Sequence, residues 1–158
     1  MRFTLAPSIL ALLVIPVVAC GDDSGSDNDP YAAERQACVD QINEYRASVG
    51  LPPYARWKEG EPCADKEAKS DSETGIAHGA FRSCTDAAEQ ESAQNECPGW
   101  PSVESTVTGC LEMMWNEGPG PWEGHGHYIN MTSTSYSKVA CGFYVTPSGQ
   151  VWAVQNFR

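Results

Sequence analysis

The stretch that decides the fold is residues 126–144, "GHYINMTSTSYSKVACGFY". It opens on a glycine, then a histidine followed by an aromatic residue, and passes through small polar residues. It ends in a β-branched and aromatic run, "KVACGFYV" at 138–145. "TPSG" at 146–149 then leads to a second such run, "QVWAVQNF" at 150–157. Two runs of this kind joined by a proline- and glycine-containing turn read as a β-hairpin. Just upstream, "EGHGH" at 123–127 holds two of the chain's three histidines, His125 and His127. Two positions apart, they would share one face if the segment were a strand, whereas the glycines around His125 favour a loop.

Working back from the hairpin, the period changes from two to that of a helix. "PYAAERQACVDQINEYRASVGLPP" at 30–53 places Cys38, Ile42, Tyr45 and Val49 on one stripe, with Pro30 near the start and Gly50 at the stop. "EPCADKEAKSDSE" at 61–73 predicts a second helix with Pro62 in its first turn. "PSVESTVTGCLEMMWNE" at 101–117 predicts a third, ended by "GPGPWEGHG". "AHGAFRSC" at 77–84 reads as a turn or extended piece. Helices first and an antiparallel hairpin last predict an α+β layered domain.

The N-terminus reads as an export signal. Arg2 precedes an apolar run from Ile9 to Ala19 that stops at Cys20. The run is shorter than the roughly 20 residues of a membrane span. "VVAC" resembles a bacterial lipobox, which would make residues 1–19 a signal peptide and Cys20 the lipidated first residue of the mature chain. "GDDSGSDNDP" at 21–30 has no large apolar residue and reads as a flexible acidic tether. One domain then spans 31–158, exported to a bacterial cell envelope and held to a membrane through its lipid. A formal net charge of −11 excludes nucleic acid and anionic lipid heads as partners.

There are seven cysteines. With Cys20 lipidated, Cys38, Cys63, Cys84, Cys97, Cys110 and Cys141 remain, enough for three disulfides in an oxidising compartment. Spacing does not fix their connectivity. Pairing neighbours gives Cys38 with Cys63, Cys84 with Cys97, and Cys110 with Cys141 as the expectation. No CxxC suggests a structural zinc knuckle, and no GxSxG elbow suggests a serine nucleophile.

Four stretches, in order, resemble the CAP superfamily of cysteine-rich secretory proteins, venom antigens and plant pathogenesis-related proteins. "INEYRASVGLPPYARW" at 42–57 is similar to its pattern "hNxxRxxxGLxPLxW". "IAHGAF" at 76–81 stands where the family has its first histidine, with Gly79 in place of the usual Ser or Asn. "MMWNEG" at 113–118 resembles its glutamate-bearing helix end, and the decisive stretch resembles "GHYxQMVWxxTxxVGCG". The resemblance implies a three-layer α-β-α sandwich with a central antiparallel sheet. It also implies a cleft with two histidines, His78 and His127, and two acids. Glu117 matches one acid. The other normally sits in a "GEN" motif, for which Glu96 in "QNECPGW" is the nearest candidate, with Glu91 or Glu89 as alternatives.

Two imidazoles and two carboxylates have three physical uses. They can hold Zn²⁺ at His78 and His127, with His125 as a possible third ligand. They can act as an acid/base pair, or form a satisfied hydrogen-bonded network that joins the layers. No cofactor is required under the last reading. Trp100, Trp115 and Trp122 are candidates to line a groove, with Trp57 and Trp152 as core. "NMT" at 130–132 matches a glycosylation acceptor at Asn130. The favoured function is a membrane-tethered binding domain for a small hydrophobic ligand, a glycan or a protein, with optional metal. The alternative is a metal-dependent hydrolase acting on peptide or cell-wall material.

Overall fold

A computed structural model describes residues 29–158. The expected signal peptide, the lipidation site Cys20 and the tether as far as Asn28 lie outside the described residues. Helix α1 (Ala32–Ser48) is followed by a two-residue strand β1 (Ala55–Arg56), helix α2 (Glu61–Thr74) and strand β2 (Ala93–Trp100). A helical segment then runs through α3 (Val103–Ser105), a π-helical stretch at Thr106–Cys110 and α4 (Leu111–Trp115). Helix α5 (Gly126–Thr132) precedes the hairpin of β3 (Lys138–Val145) and β4 (Val151–Phe157). The sheet order is β1-β3-β4-β2, antiparallel except for the short β1–β3 pair.

The hairpin alternates as its sequence predicts. Val139, Cys141, Phe143, Val151, Ala153 and Phe157 bury against Cys38, Val39 and Ile42 of α1, together with Val107, Leu111 and Met131. Trp152 and Val154 turn to the opposite face and pack on Ala64 and Ala68 of α2, beside Tyr144. Helices therefore cover both faces of the sheet, which is the expected three-layer sandwich. Gly142 sets the closest approach, because a methyl there would overlap the Ala64 backbone of α2. On the other face, the buried Arg46 donates to the carbonyls of Met131 (2.6 Å) and Ser133 (2.9 Å) and stacks over Tyr54, tying α1 to the end of α5.

The three disulfides differ from the neighbour pairing. Cys38 bonds Cys141, Cys63 bonds Cys84, and Cys97 bonds Cys110. Cys38 and Cys63 lie on helices covering opposite faces of the sheet, so they cannot meet. Cys38 instead points at the central strand β3. Cys63 closes the turn that follows α2, and Cys97 of β2 faces the π-helical stretch. The histidine segment also departs from a strand reading: His125 precedes α5 and His127 lies in its first turn. The reason is a cap supplied from a distance. Glu117 Oε2 accepts the backbone N–H of His127 (3.1 Å) and Tyr128 (3.3 Å), amides that a helix start leaves unpaired. Strand β2 falls in a segment with no apolar alternation.

Candidate functional site

His127 enters from the first turn of α5 and His78 from the turn after α2. Their ring centroids are 6.4 Å apart at an interplanar angle of 30°. His127 Nδ1–H donates to Glu117 Oε1 at 2.5 Å, so the carboxylate that caps α5 also orients its histidine. His78 has a left-handed backbone, φ 59°, and its Nδ1 lies 2.8 Å from Gln94 Oε1. The Gln94 amide is oriented by its own donations, from Nε2 to Glu67 Oε2 (3.1 Å) and Asn156 Oδ1 (3.2 Å). Its carbonyl end therefore faces His78, and Nδ1 of His78 carries the proton. In each neutral ring Nδ1 is committed to an acceptor and Nε2 keeps its lone pair.

The acid beside His78 is Glu96. Its Oε2 accepts the His78 backbone N–H, and it stands 3.7 Å from Nδ1, outside hydrogen-bonding range. Glu91 accepts the backbone N–H of Arg82, whose φ is also positive at 62°. Asp71 Oδ1 accepts that of Ala80 at 2.7 Å. Three carboxyl groups thus hold alternate amides of one turn, and the Cys63–Cys84 bridge closes it. Glu89 stays within the turn at 86–90 and does not reach the histidines.

These acids are buried: Glu67 is 0 % exposed, Asp71 1 %, Glu91 2 % and Glu96 4 %. They meet in two pairs, Glu67 with Glu91 and Glu96 with Asp71. Each of the four has one oxygen with no other partner: Glu67 Oε1, Glu91 Oε2, Glu96 Oε1 and Asp71 Oδ2. One shared proton per pair satisfies all four. Burial, opposed by the amides of Asn156 and Gln94 and reinforced by Glu91, pushes Glu67 up to about 7. Burial, opposed by the His78 amide and reinforced by Asp71, pushes Glu96 up to about 8. Each pair therefore holds a proton between its two acids well above the usual carboxylate range, because burial disfavours a second charge.

A cavity of about 340 Å³ opens over the histidines. His78, Glu96, Glu117 and His127 form its polar side, and Pro98, Trp100, Met113 and Met114 its apolar side. Trp100 lies flush because Gly109 in the π-helical stretch leaves room, with a Cβ position 2.8 Å from the indole. No serine, threonine or free thiol lines this cavity; Cys110 is bridged to Cys97. His125 is directed elsewhere. Its Nδ1 donates to the carbonyls of Glu117 (2.7 Å) and Gly118 (3.0 Å), and its ring packs on Gly120. Among the described residues, the one trio of metal-type side chains within 4.8 Å is Cys63, Glu67 and Cys84, whose sulfurs are in a disulfide. Asn130 is 3 % exposed and donates to Gln94 O and Asn95 Oδ1, which leaves no route for a glycan.

Trp57 and Trp152 are core, Trp115 stacks with Tyr45, and Trp122 is 64 % exposed. Residue-level reading missed Gln94, Glu67, Asp71 and Asn156. One signal for two of them was present: Cys63, Glu67 and Asp71 are four residues apart on one stripe of α2, so acids share the face of a bridged cysteine.

Paired imidazoles, each backed by its own acceptor, on a disulfide-bonded α-β-α sandwich define a CAP-type domain. The chain belongs to that family: the family model "CAP: Cysteine-rich secretory protein family" matches residues 39–157. Among solved structures, it is similar to an outer surface protein from Borrelia burgdorferi, at 15% identity and a TM-score of 0.59 over 82% of this chain and 94% of that one. It is also similar to BmVAL-1, at 17% identity and a TM-score of 0.51 over 85% and 79% of the two chains. At these identities the likeness is one of fold. No curated protein matches the sequence.

Proposed function

We propose that this is an exported, membrane-tethered binding domain whose His78–His127 cleft takes a small hydrophobic ligand or glycan and, optionally, a divalent metal ion. The observation that carries the reading is that each ring sets Nδ1 against a protein oxygen, Glu117 Oε1 for His127 and Gln94 Oε1 for His78. Both rings commit Nδ1–H to a second acceptor and keep Nε2 as a donor of electrons, which is the arrangement of metal-binding histidines. His78 and His127 would hold the ion, with Glu117 and Gln94 fixing their orientation. A bound ion would supply Lewis acidity to a ligand atom beside it. Trp100, Met113 and Met114 would take the apolar part of the ligand. Binding is favoured over hydrolysis because no hydroxyl or free thiol lines the cleft, and among the described residues no trio of closely grouped metal-type side chains includes either imidazole.

Calorimetric titration of the purified protein with Zn²⁺ tests the metal part. Weak binding is expected, abolished by His127→Ala and lowered roughly 10–100-fold by Glu117→Gln, which loosens the orienting bond. It should weaken at acid pH, where protons compete for the ring nitrogens. His125→Ala should change it little. Undiminished zinc affinity in a folded His127→Ala protein would remove this histidine from the site.

A further inference from the structure

A second cavity, of about 300 Å³, lies on the other side of His78 and is not used by the cleft. Phe81, Trp122 and Tyr136 wall it, from three separate segments, and Gln94 and Asn130 lie at its base. Trp122 is 64 % exposed and Phe81 38 %. The Trp122 ring rests 3.5 Å from where a Cβ of Gly126 would stand, so the glycine seats the indole without covering it.

Several other rings of the domain already carry a cation. Arg35 stands by Tyr31 and Phe143, Arg46 over Tyr54, Lys69 by Tyr144, and Lys138 and Arg158 by Trp57. Among the described residues, no such contact reaches Phe81, Trp122 or Tyr136, and no lysine or arginine lines their cavity. Three electron-rich aromatic rings thus line a space whose lining contributes no lysine or arginine. The base adds the same sign. Gln94 bonds directly to Glu67 of the buried acid pairs. Asn130 spends its Nδ2 on Gln94 O and Asn95 Oδ1, leaving Oδ1 as an acceptor. The chain as a whole carries −11.

Such a site repels anions. It also suits a compact ammonium poorly, because that group is strongly hydrated and needs an acceptor for each N–H. A quaternary ammonium has no N–H, spreads its charge over methyl groups and packs against aromatic faces. We propose that this cavity binds a quaternary ammonium group of the trimethylammonium kind, its methyls held by Phe81, Trp122 and Tyr136. The group could arrive as a free choline-like amine or as a phosphocholine headgroup.

The test is a titration of the purified protein with choline, followed by tryptophan fluorescence and by the indole N–H signals. It is run in EDTA, so that the fate of the zinc site does not bear on it. The comparator is the uncharged tert-butyl isostere of choline. Choline should bind saturably and at least about tenfold more tightly than the isostere, because cation–π attraction is lost while shape is kept. Trp122→Ala should weaken choline by a similar factor. That side chain is largely exposed, and an unchanged circular dichroism spectrum would show the variant folded. Glycerophosphocholine binding as tightly as choline would assign the group to a headgroup; clearly weaker binding would assign it to a free amine. No saturable choline binding, equal affinity for the isostere, or an unaffected Trp122→Ala protein would each overturn the proposal.

Discussion

Replacing Cys38 and Cys141 together by alanine is expected to destabilise the domain more than removing either other bridge. The three links close very different loops, with sequence separations of 103 for Cys38–Cys141, 21 for Cys63–Cys84 and 13 for Cys97–Cys110. A cross-link restricts the unfolded chain more as its loop grows, by about 4–5 kcal/mol for a loop near 100 residues against about 3 for one near 15. The long bridge also fixes α1, the first helix of the domain, to β3, a central strand. Both cysteines are buried, at 1 % and 0 % exposure, so their loss also removes core packing. For a domain of this size, a loss of that order lowers the thermal midpoint by roughly 15 °C. Calorimetry of the three double variants under identical conditions gives the ranking directly. A Cys38/Cys141 variant no less stable than the Cys97/Cys110 variant would show that loop closure does not govern this fold.

What the sequence disclosed follows from which residues are buried. Helix α1 and the hairpin bury apolar side chains at regular spacing, so their periods are visible, and α2, whose buried stripe mixes acids with Cys63, Ala64 and Ala68, was legible through Pro62 in its first turn. Strand β2 hid because it buries polar groups: Gln94 and Glu96 face α2, while Asn95 donates to His127 O on the other side. Buried amides and acids give no hydrophobic alternation. Helix α5 hid because it is seven residues long and starts on a cap ten positions upstream, at Glu117. The disulfides hid because connectivity depends on which face of the sheet each helix covers. Of the site, His78, His127, Glu96 and Glu117 were reachable through family resemblance. Their roles were less so: the partner of His78 Nδ1 is Gln94, a residue no pattern singled out, and Glu96 holds the backbone of His78 instead of its ring.

The domain should lose stability as pH rises from about 5 to above 8, and the buried acid pairs set that direction. Glu67 titrates at about 7 and Glu96 at about 8 when folded, against 4.5 for an ordinary glutamate. The folded protein therefore binds protons that the unfolded chain has already released. That stabilisation is complete below about 4.5 and is lost as pH climbs through the folded values. A tenfold gain in proton affinity on folding corresponds to about 1.4 kcal/mol, so each pair contributes on the order of 3–5 kcal/mol across the window. The opposing trend lies at lower pH. Asp29, half-buried but bonded to Arg35 and the Tyr31 amide, is held below the usual aspartate value, so its contribution disappears only on strong acidification. Maximum stability should then lie near pH 5. Glu67→Gln separates this account from a general charge effect. A glutamine amide can donate to Glu91 as the protonated acid does, and its carbonyl can accept from Gln94 and Asn156, but it cannot ionise. Urea midpoints at pH 5 and pH 8 should show the variant close to wild type at the lower pH and more stable by roughly 2–3 kcal/mol at the higher. Adding Glu96→Gln should flatten the profile further. A Glu67→Gln protein whose stability falls with pH as steeply as wild type would mean that the Glu67–Glu91 pair does not share a proton. The turn that carries His78 would then owe its position to the Cys63–Cys84 bridge and the remaining acid–amide contacts, and the histidine's place in the cleft should be insensitive to pH.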